Sequence, residues 1–258
     1  MEFRTIASGS SGNCMYAGLG GQHFLIDAGI SGKRIENALF QMNVRGLNGI
    51  FVTHEHRDHI AGVGVMARRF KLDIYATPLT WRFFSHTGAI GALAASQVKM
   101  IEPEKPINIG GVTITAFDIP HDAVQPVGYT FEAGGEKIAV ATDFGCATDT
   151  IRRHLKGAQI IALESNYDPV MLKNGPYYQA LKERVAVGHL SNAEAGVLLA
   201  EVASDNLEHV FLAHLSEENN MPMLAYDTVK RVLNGHNVFI KNLYVAERHT
   251  PGVVVQYG

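Results

Sequence analysis

The chain has 258 residues, 47% of them hydrophobic, with 26 Gly, 9 Pro and a formal charge of −3. That apolar content supports a large core, and the near-neutral balance excludes a global electrostatic attraction to nucleic acid. Cys14 and Cys146 lie far apart and outside any Cys-x-x-Cys spacing, which excludes a disulfide framework and a cysteine-held zinc knuckle.

The first segment reads as short strands with Gly-rich turns, at Phe3 to Ala7, Cys14 to Ala17 and His23 to Asp27. A helix is predicted over Gly32 to Met42, with Ile35, Ala38, Leu39 and Met42 on its apolar face. The apolar run Gly49 to Thr53 predicts a buried strand. A helix opening at Asp58-His59 is expected next, its apolar face formed by Ile60, Val63, Val65, Met66 and Phe70. Pro78 has the place of a first-turn proline in a helix carrying Trp81, Phe83 and Phe84. Strands return at Val112 to Phe117, Val127 to Phe131 and Lys137 to Thr142, the last two joined by the hairpin signal Glu132 to Glu136. Helix and strand then alternate: Thr148 to Leu155, Gln159 to Leu163, Asn192 to Ala203, His209 to Ala213 and Pro222 to Leu233. This order predicts one domain over 1–258 of the α/β class (α+β in some schemes), a four-layer αβ/βα sandwich with two mixed sheets inside and helices outside. Gly49 to His54 and His209 to His214 echo each other, both apolar strands ending in His, as two halves of a duplicated unit.

The strand at Gly49 empties into His54-Glu55-His56-Arg57-Asp58-His59, which places possible metal ligands at His54, His56, Asp58 and His59. Residues two apart in a strand share a side, so His54 and His56 can reach one cation. Asp58 and His59 face another way and suit a second. Further along, two strands deliver His121 and Asp143. A carboxylate between two cations lowers their mutual repulsion, which makes Asp143 the bridging candidate.

The order Asp27, His54-x-His56-x-Asp58-His59, His121, Asp143, His214 resembles the metallo-β-lactamase-fold hydrolases. The resemblance covers nearly the whole chain. It implies His54, His56 and His121 on one divalent metal, Asp58, His59 and His214 on a second, Asp143 between them, and Asp27 orienting the site from behind. Imidazole suits zinc and carboxylate tolerates manganese, so either ion is expected. Glu164 in Ala162 to Asn166 and His189 in Gly188 to Asn192 look like the pair that phosphodiesterase branches add. With Asp58 they are the catalytic candidates. That resemblance implies that a hydroxide generated at the metals would attack phosphorus and that His189, oriented by Glu164, would give the departing alkoxide its proton.

The loop Ser8 to Cys14 and the segment His214 to Asn220 are similar to the YycJ/WalJ group of compact proteins with this fold. That group is linked to 5'-to-3' exonuclease action on double-stranded DNA. The resemblance thus implies a metal-dependent phosphodiesterase with DNA as partner and little sequence specificity. Ser10, Ser11 and Asn13 are candidate phosphate contacts in a small anion nest. Arg68, Arg69, Lys71, Lys182 and Arg184 are candidates for a DNA track. The alternatives are a cyclic-phosphate phosphodiesterase, a glyoxalase II-like thioesterase and a non-catalytic metal-stabilised scaffold. The segment Met1 to Thr5 shows no basic stretch followed by a hydrophobic core, and no apolar run is long enough for a bilayer, so a soluble cytoplasmic protein is expected.

Overall fold

The computed structural model describes residues 1–257, arranged as two seven-stranded mixed sheets packed face to face. The first holds β1 (Glu2–Ala7), β2 (Cys14–Leu19), β3 (Gln22–Ile26), β4 (Gly49–Phe51), β5 (Ile74–Ala76) and β6 (Val98–Met100), with β14 (Val255–Gln256) on the edge beside β1. The second runs β7 (Ile107–Ile109), β8 (Val112–Asp118), β9 (Val127–Ala133), β10 (Glu136–Ala141), β11 (Ile160–Glu164), β12 (His209–Ala213) and β13 (Asn242–Val245).

Strand alternation builds the layers. Phe24 and Ile26 of β3 face the opposite sheet, whereas Leu25 between them faces helices. On β12, Phe211 and Ala213 point between the sheets while Val210 and Leu212 point outward. The outer face of the first sheet is covered by α1 (Gly32–Gln41), α3 (Val63–Phe70) and α4 (Pro78–Thr87). The second is covered by α5 (Asp149–Leu155), α8 (Asn192–Val202) and α9 (Pro222–Gly235). Between the sheets, Phe24, Phe51, Tyr75, Tyr129 and Phe131 form an aromatic cluster in which Phe51 stacks on Tyr75 with centroids 4.5 Å apart. Truncating one of these buried rings to alanine costs about 3–5 kcal/mol. Among the described residues, no helix is long and apolar enough to cross a membrane.

Three expectations need correction. The helix after the His/Asp cluster is two pieces, α2 (Arg57–Ile60) and α3, because the Gly62 amide donates to the Ala28 carbonyl (2.7 Å). Ile60, Val63 and Met66 are buried as expected, but Val65 and Phe70 stand in solvent at 48% and 43% exposure. The echo between β4 and β12 is displaced by one strand. Each sheet has three antiparallel pairings followed by three parallel ones, which makes β3 equivalent to β10, β4 to β11 and β5 to β12. Finally, α6 (Pro169–Asn174) and α7 (Gln179–Gly188) fill a stretch for which no element was predicted.

Candidate metal centre

In sheets of this kind, ligands gather outside the carboxyl ends of parallel strands, and the candidate residues do so. His54 follows β4, Asp143 follows β10, Glu164 ends β11 and His214 follows β12. Asp27, Asp143 and His214 turn with φ of 58°, 63° and 56°, left-handed values that non-glycine residues adopt only where the surroundings enforce them. The Asp58-His59 backbone is clasped from two sides: Asn13 donates to Asp58 O (2.7 Å) and Ala28 to His59 O (2.9 Å). Gly29 permits this approach, since a Cβ there would lie 1.5 Å from Asp58 O.

The donors converge in linked groups. His54, His56 and His121 form one, with His54 Nε2 3.0 Å and His121 Nε2 3.4 Å from His56 Nδ1. Asp58, His59 and His214 form another, with His59 Nε2 3.4 Å from Asp58 Oδ2. His54, His59 and Asp143 connect the two. Asp143 Oδ2 and His214 Nε2 are buried without a hydrogen-bond partner. Such atoms are costly unless something satisfies them. Lone-pair donors crowded this closely, imidazole and carboxylate together, fit a divalent cation.

Groups behind the ligands fix their orientation. Asp27 accepts from Thr53 N (2.8 Å) and Thr53 Oγ1 (2.8 Å), and His59 Nδ1 donates to it at 2.7 Å. That bond turns His59 Nε2 toward Asp58 and Asp143. His121 Nδ1 donates to Gly188 O (3.3 Å). Glu164 Oε1 receives both His189 Nδ1 (2.7 Å) and His214 Nδ1 (3.0 Å), and its Oε2 accepts from Phe144 N (2.6 Å). One buried carboxylate therefore ties His189 to the ligand cluster.

Charge follows the same pattern. Burial pushes the Asp143 and Asp58 carboxyls up, but the surrounding histidines more than offset this and hold both well below the carboxylate range. Burial disfavours the His214 cation, yet Asp143, Asp58 and Glu164 push the ring up to about 10. Asp143 and Asp27 likewise outweigh burial and hold His59 well above its ordinary value. Burial, reinforced by His59, holds His54 well below it. For Glu164, burial is outweighed by His189, and the carboxyl lies below its usual value.

The loop after β1 departs from expectation. Ser10 lines the pocket that holds His56, Asp58, His121, Asp143, His189 and His214, but Ser11 does not. Asn13 points inward, its Nδ2 reaching Asp58 Oδ2 (3.1 Å) and His59 Nε2 (3.0 Å). The amides of Gly9, Gly12 and Asn13 are already donated to Asn13 Oδ1, Gly9 O and Asp58 O, which takes the Asn13 amide out of the expected nest. Of the basic candidates, Arg184 alone lines the pocket. Arg68 is committed to Ile90 O and Ala92 O, Arg69 to Glu36 and Lys182 to Lys173 O. Thr53 and Asn166, whose Nδ2 donates to His214 O (2.7 Å), are orienting residues that sequence reasoning did not assign, and Asn13, expected as a phosphate contact, orients Asp58 and His59. Each is adjacent to a ligand or in a loop beside one, and a buried polar residue there is the available signal.

The model of the β-lactamase superfamily domain matches residues 22–215. Exodeoxyribonuclease YycJ of Bacillus anthracis is 40% identical over 238 residues, covering 90% of this chain and 89% of that protein. Exodeoxyribonuclease WalJ of Streptococcus pneumoniae (strain D39) is 35% identical over 232 residues, covering 88% and 86%. The Zn(2+)-bound crystal structure of PqqB from Methylobacterium extorquens superposes with a TM-score of 0.73 over 100% of both chains at 15% identity, a likeness of fold. The chain belongs to the β-lactamase superfamily and, within it, to the family of YycJ and WalJ.

Proposed function

We propose that this metal-dependent hydrolase is a phosphodiesterase that degrades double-stranded DNA from its 5' end, in the cytoplasm, the whole chain acting as one folding unit. The names of its relatives support DNA as the substrate. The observation that carries phosphodiester chemistry is Glu164 Oε1, shared between His189 and His214. A phosphodiester leaving group departs as an alkoxide and needs a positioned acid.

His54, His56 and His121 would hold one divalent ion and Asp58, His59 and His214 a second, with Asp143 the candidate between the two groups and zinc or manganese as the metal. When bound, the ions polarise the phosphoryl group and lower the pKa of water. Asp27 orients His59, and Asn13 orients Asp58, which would also position the attacking water. Glu164 accepts from His189 Nδ1, so it is Nε2 of the doubly protonated ring that would give the leaving oxygen its proton. Apart from these groups and Ser10, the pocket is lined by Asp122 and by Leu181, Arg184, Val185 and Gly188 of α7. Leu181, Val185 and Gly188 offer nothing that reads a base edge, which supports action with little sequence specificity.

The test is degradation of 5'-phosphorylated duplex DNA by protein loaded with zinc or manganese, and by His189→Ala. Loss of cleavage with metal content retained is expected of the variant. Full activity would remove His189 from the chemistry. Cleavage of a small cyclic phosphate but of no DNA would move the substrate to that class.

A further inference from the structure

Helix α7 has no buried residue, yet it forms one wall of the pocket through Leu181, Arg184, Val185 and Gly188. It is anchored at its C-terminal end. A Cβ at Gly145 would lie 1.6 Å from Val187 O, Gly188 O accepts from His121 Nδ1, and His189 follows directly. Farther along, Arg184 spans to the segment that follows β8. Its Nε (2.8 Å) and Nη2 (2.6 Å) both donate to one oxygen, Asp122 Oδ2.

Arg184 is the single Lys or Arg among the residues lining this pocket, and it stands with Asp58, Asp143 and Asp122. A pocket that admits a polyanion has its one fixed protein cation tied to a carboxylate. Both partners are largely in solvent, 62% and 47% exposed, and such ion pairs contribute little. The same Nε–Nη2 edge spans two oxygens of a phosphate, a geometry guanidinium matches and ammonium does not. The cavity, about 220 Å³, is smaller than usual small-molecule sites. It has room for a phosphate.

Resting on the exonuclease reading above, we propose that Arg184 binds a phosphate of the DNA substrate and that Asp122 holds its guanidinium in position until that phosphate displaces it. Asp122 then works as a competitor: it keeps Arg184 aimed across the pocket and is exchanged for the stronger anion. Phosphate capture also engages α7, whose far end carries His189 and braces His121.

The experiment measures binding of metal-loaded protein to duplex DNA with cleavage-resistant phosphorothioate linkages at the 5' end, across a salt series. Arg184→Ala is expected to weaken binding about tenfold and to lower the slope of log K against log salt by about 0.9. Arg184→Lys should recover the slope but only part of the affinity. Asp122→Asn should tighten binding in the wild-type background and do so less in the Arg184→Ala background, where only the repulsion between Asp122 and the DNA is relieved. Duplexes with a 5'-phosphate and a 5'-hydroxyl separate the two sources: a loss confined to the first assigns the terminal phosphate, and an equal loss assigns an internal one. Unchanged affinity and slope in Arg184→Ala would overturn the proposal, as would Asp122→Asn weakening binding like Arg184→Ala. Should the wild-type protein itself bind neither duplex, the exonuclease reading fails with it. Wild-type binding that ignores Arg184 removes only the phosphate anchor.

Discussion

Asp27 and Asp143 follow the equivalent strands β3 and β10 of the two sheets, and both turn with nearly the same positive φ. Their side chains meet different surroundings. Asp27 has both oxygens filled by Thr53 and His59, and burial keeps its carboxyl above the usual value despite those bonds. Asp143 has Oδ1 3.2 Å from His214 Nδ1 and Oδ2 unpartnered, and the histidines around it outweigh burial and hold it ionised. One backbone device thus serves two purposes. In the first sheet it places a carboxylate behind the candidate ligand His59; in the second it places one, Asp143, with an unpartnered oxygen among the candidate ligands.

The sharpest way to break this comparison is Asp143→Ala. It should lose at least one metal per chain by elemental analysis and reduce hydrolysis to background; two retained ions would end its role as the bridge. Next in size is His189→Ala, expected to slow cleavage about 10²- to 10⁴-fold while metal content stays unchanged. A parallel loss of metal would show that His189 supports the cluster rather than the leaving group. Asp27→Asn should be milder, since Asp27 acts through His59: a drop in metal affinity of about 10- to 100-fold, read by competition with a chelator. Complete loss of an ion there would make the two aspartates equivalent after all.

Acidity gives a fourth, smaller effect. In the metal-free protein His214 is raised from 6.5 to about 10. Its contribution to stability is full below pH 6.5 and lost as pH rises toward 10. Asp143 has the opposite sign, contributing above its unfolded value of 3.8 and losing that contribution as pH falls below it. Metal binding requires neutral imidazoles, so loading releases protons and stabilises the protein more at pH 9 than at pH 6. Thermal unfolding of metal-free and loaded protein checks this, and a metal-free form equally stable at both pH values would contradict it. The smallest effect belongs to Arg69→Ala. Arg69 pairs with Glu36 and does not line the metal-site pocket; stability should change by about 0.5 kcal/mol or less and DNA binding by nothing measurable.

The convergence of the candidate ligands was legible because four of them fall within one six-residue stretch and the rest stand at strand ends, where backbone direction dictates convergence. His121, Asp143 and His214 needed only that rule and a resemblance. Strands β5, β6 and β7 have three residues each, too few for alternation to register. Helix α7 buries nothing, so it carries no apolar period, although its C-terminus braces His121 and leads into His189. Val65 and Phe70 misled in the other direction: their spacing suits a helix face, but the break at Gly62 rotates them into solvent. Asn13 was legible as a loop residue and not as the partner of Asp58, because that contact joins residues 45 positions apart.

Nuclease action at a 5' end is tested most directly by following a duplex labelled at the 5' terminus on one strand and the 3' terminus on the other, after loading the protein with zinc or manganese. The expected result is early release of the 5' label as a short product while the 3' label persists on shortening DNA. Release of the 3' label first, or no release with either metal, would contradict it.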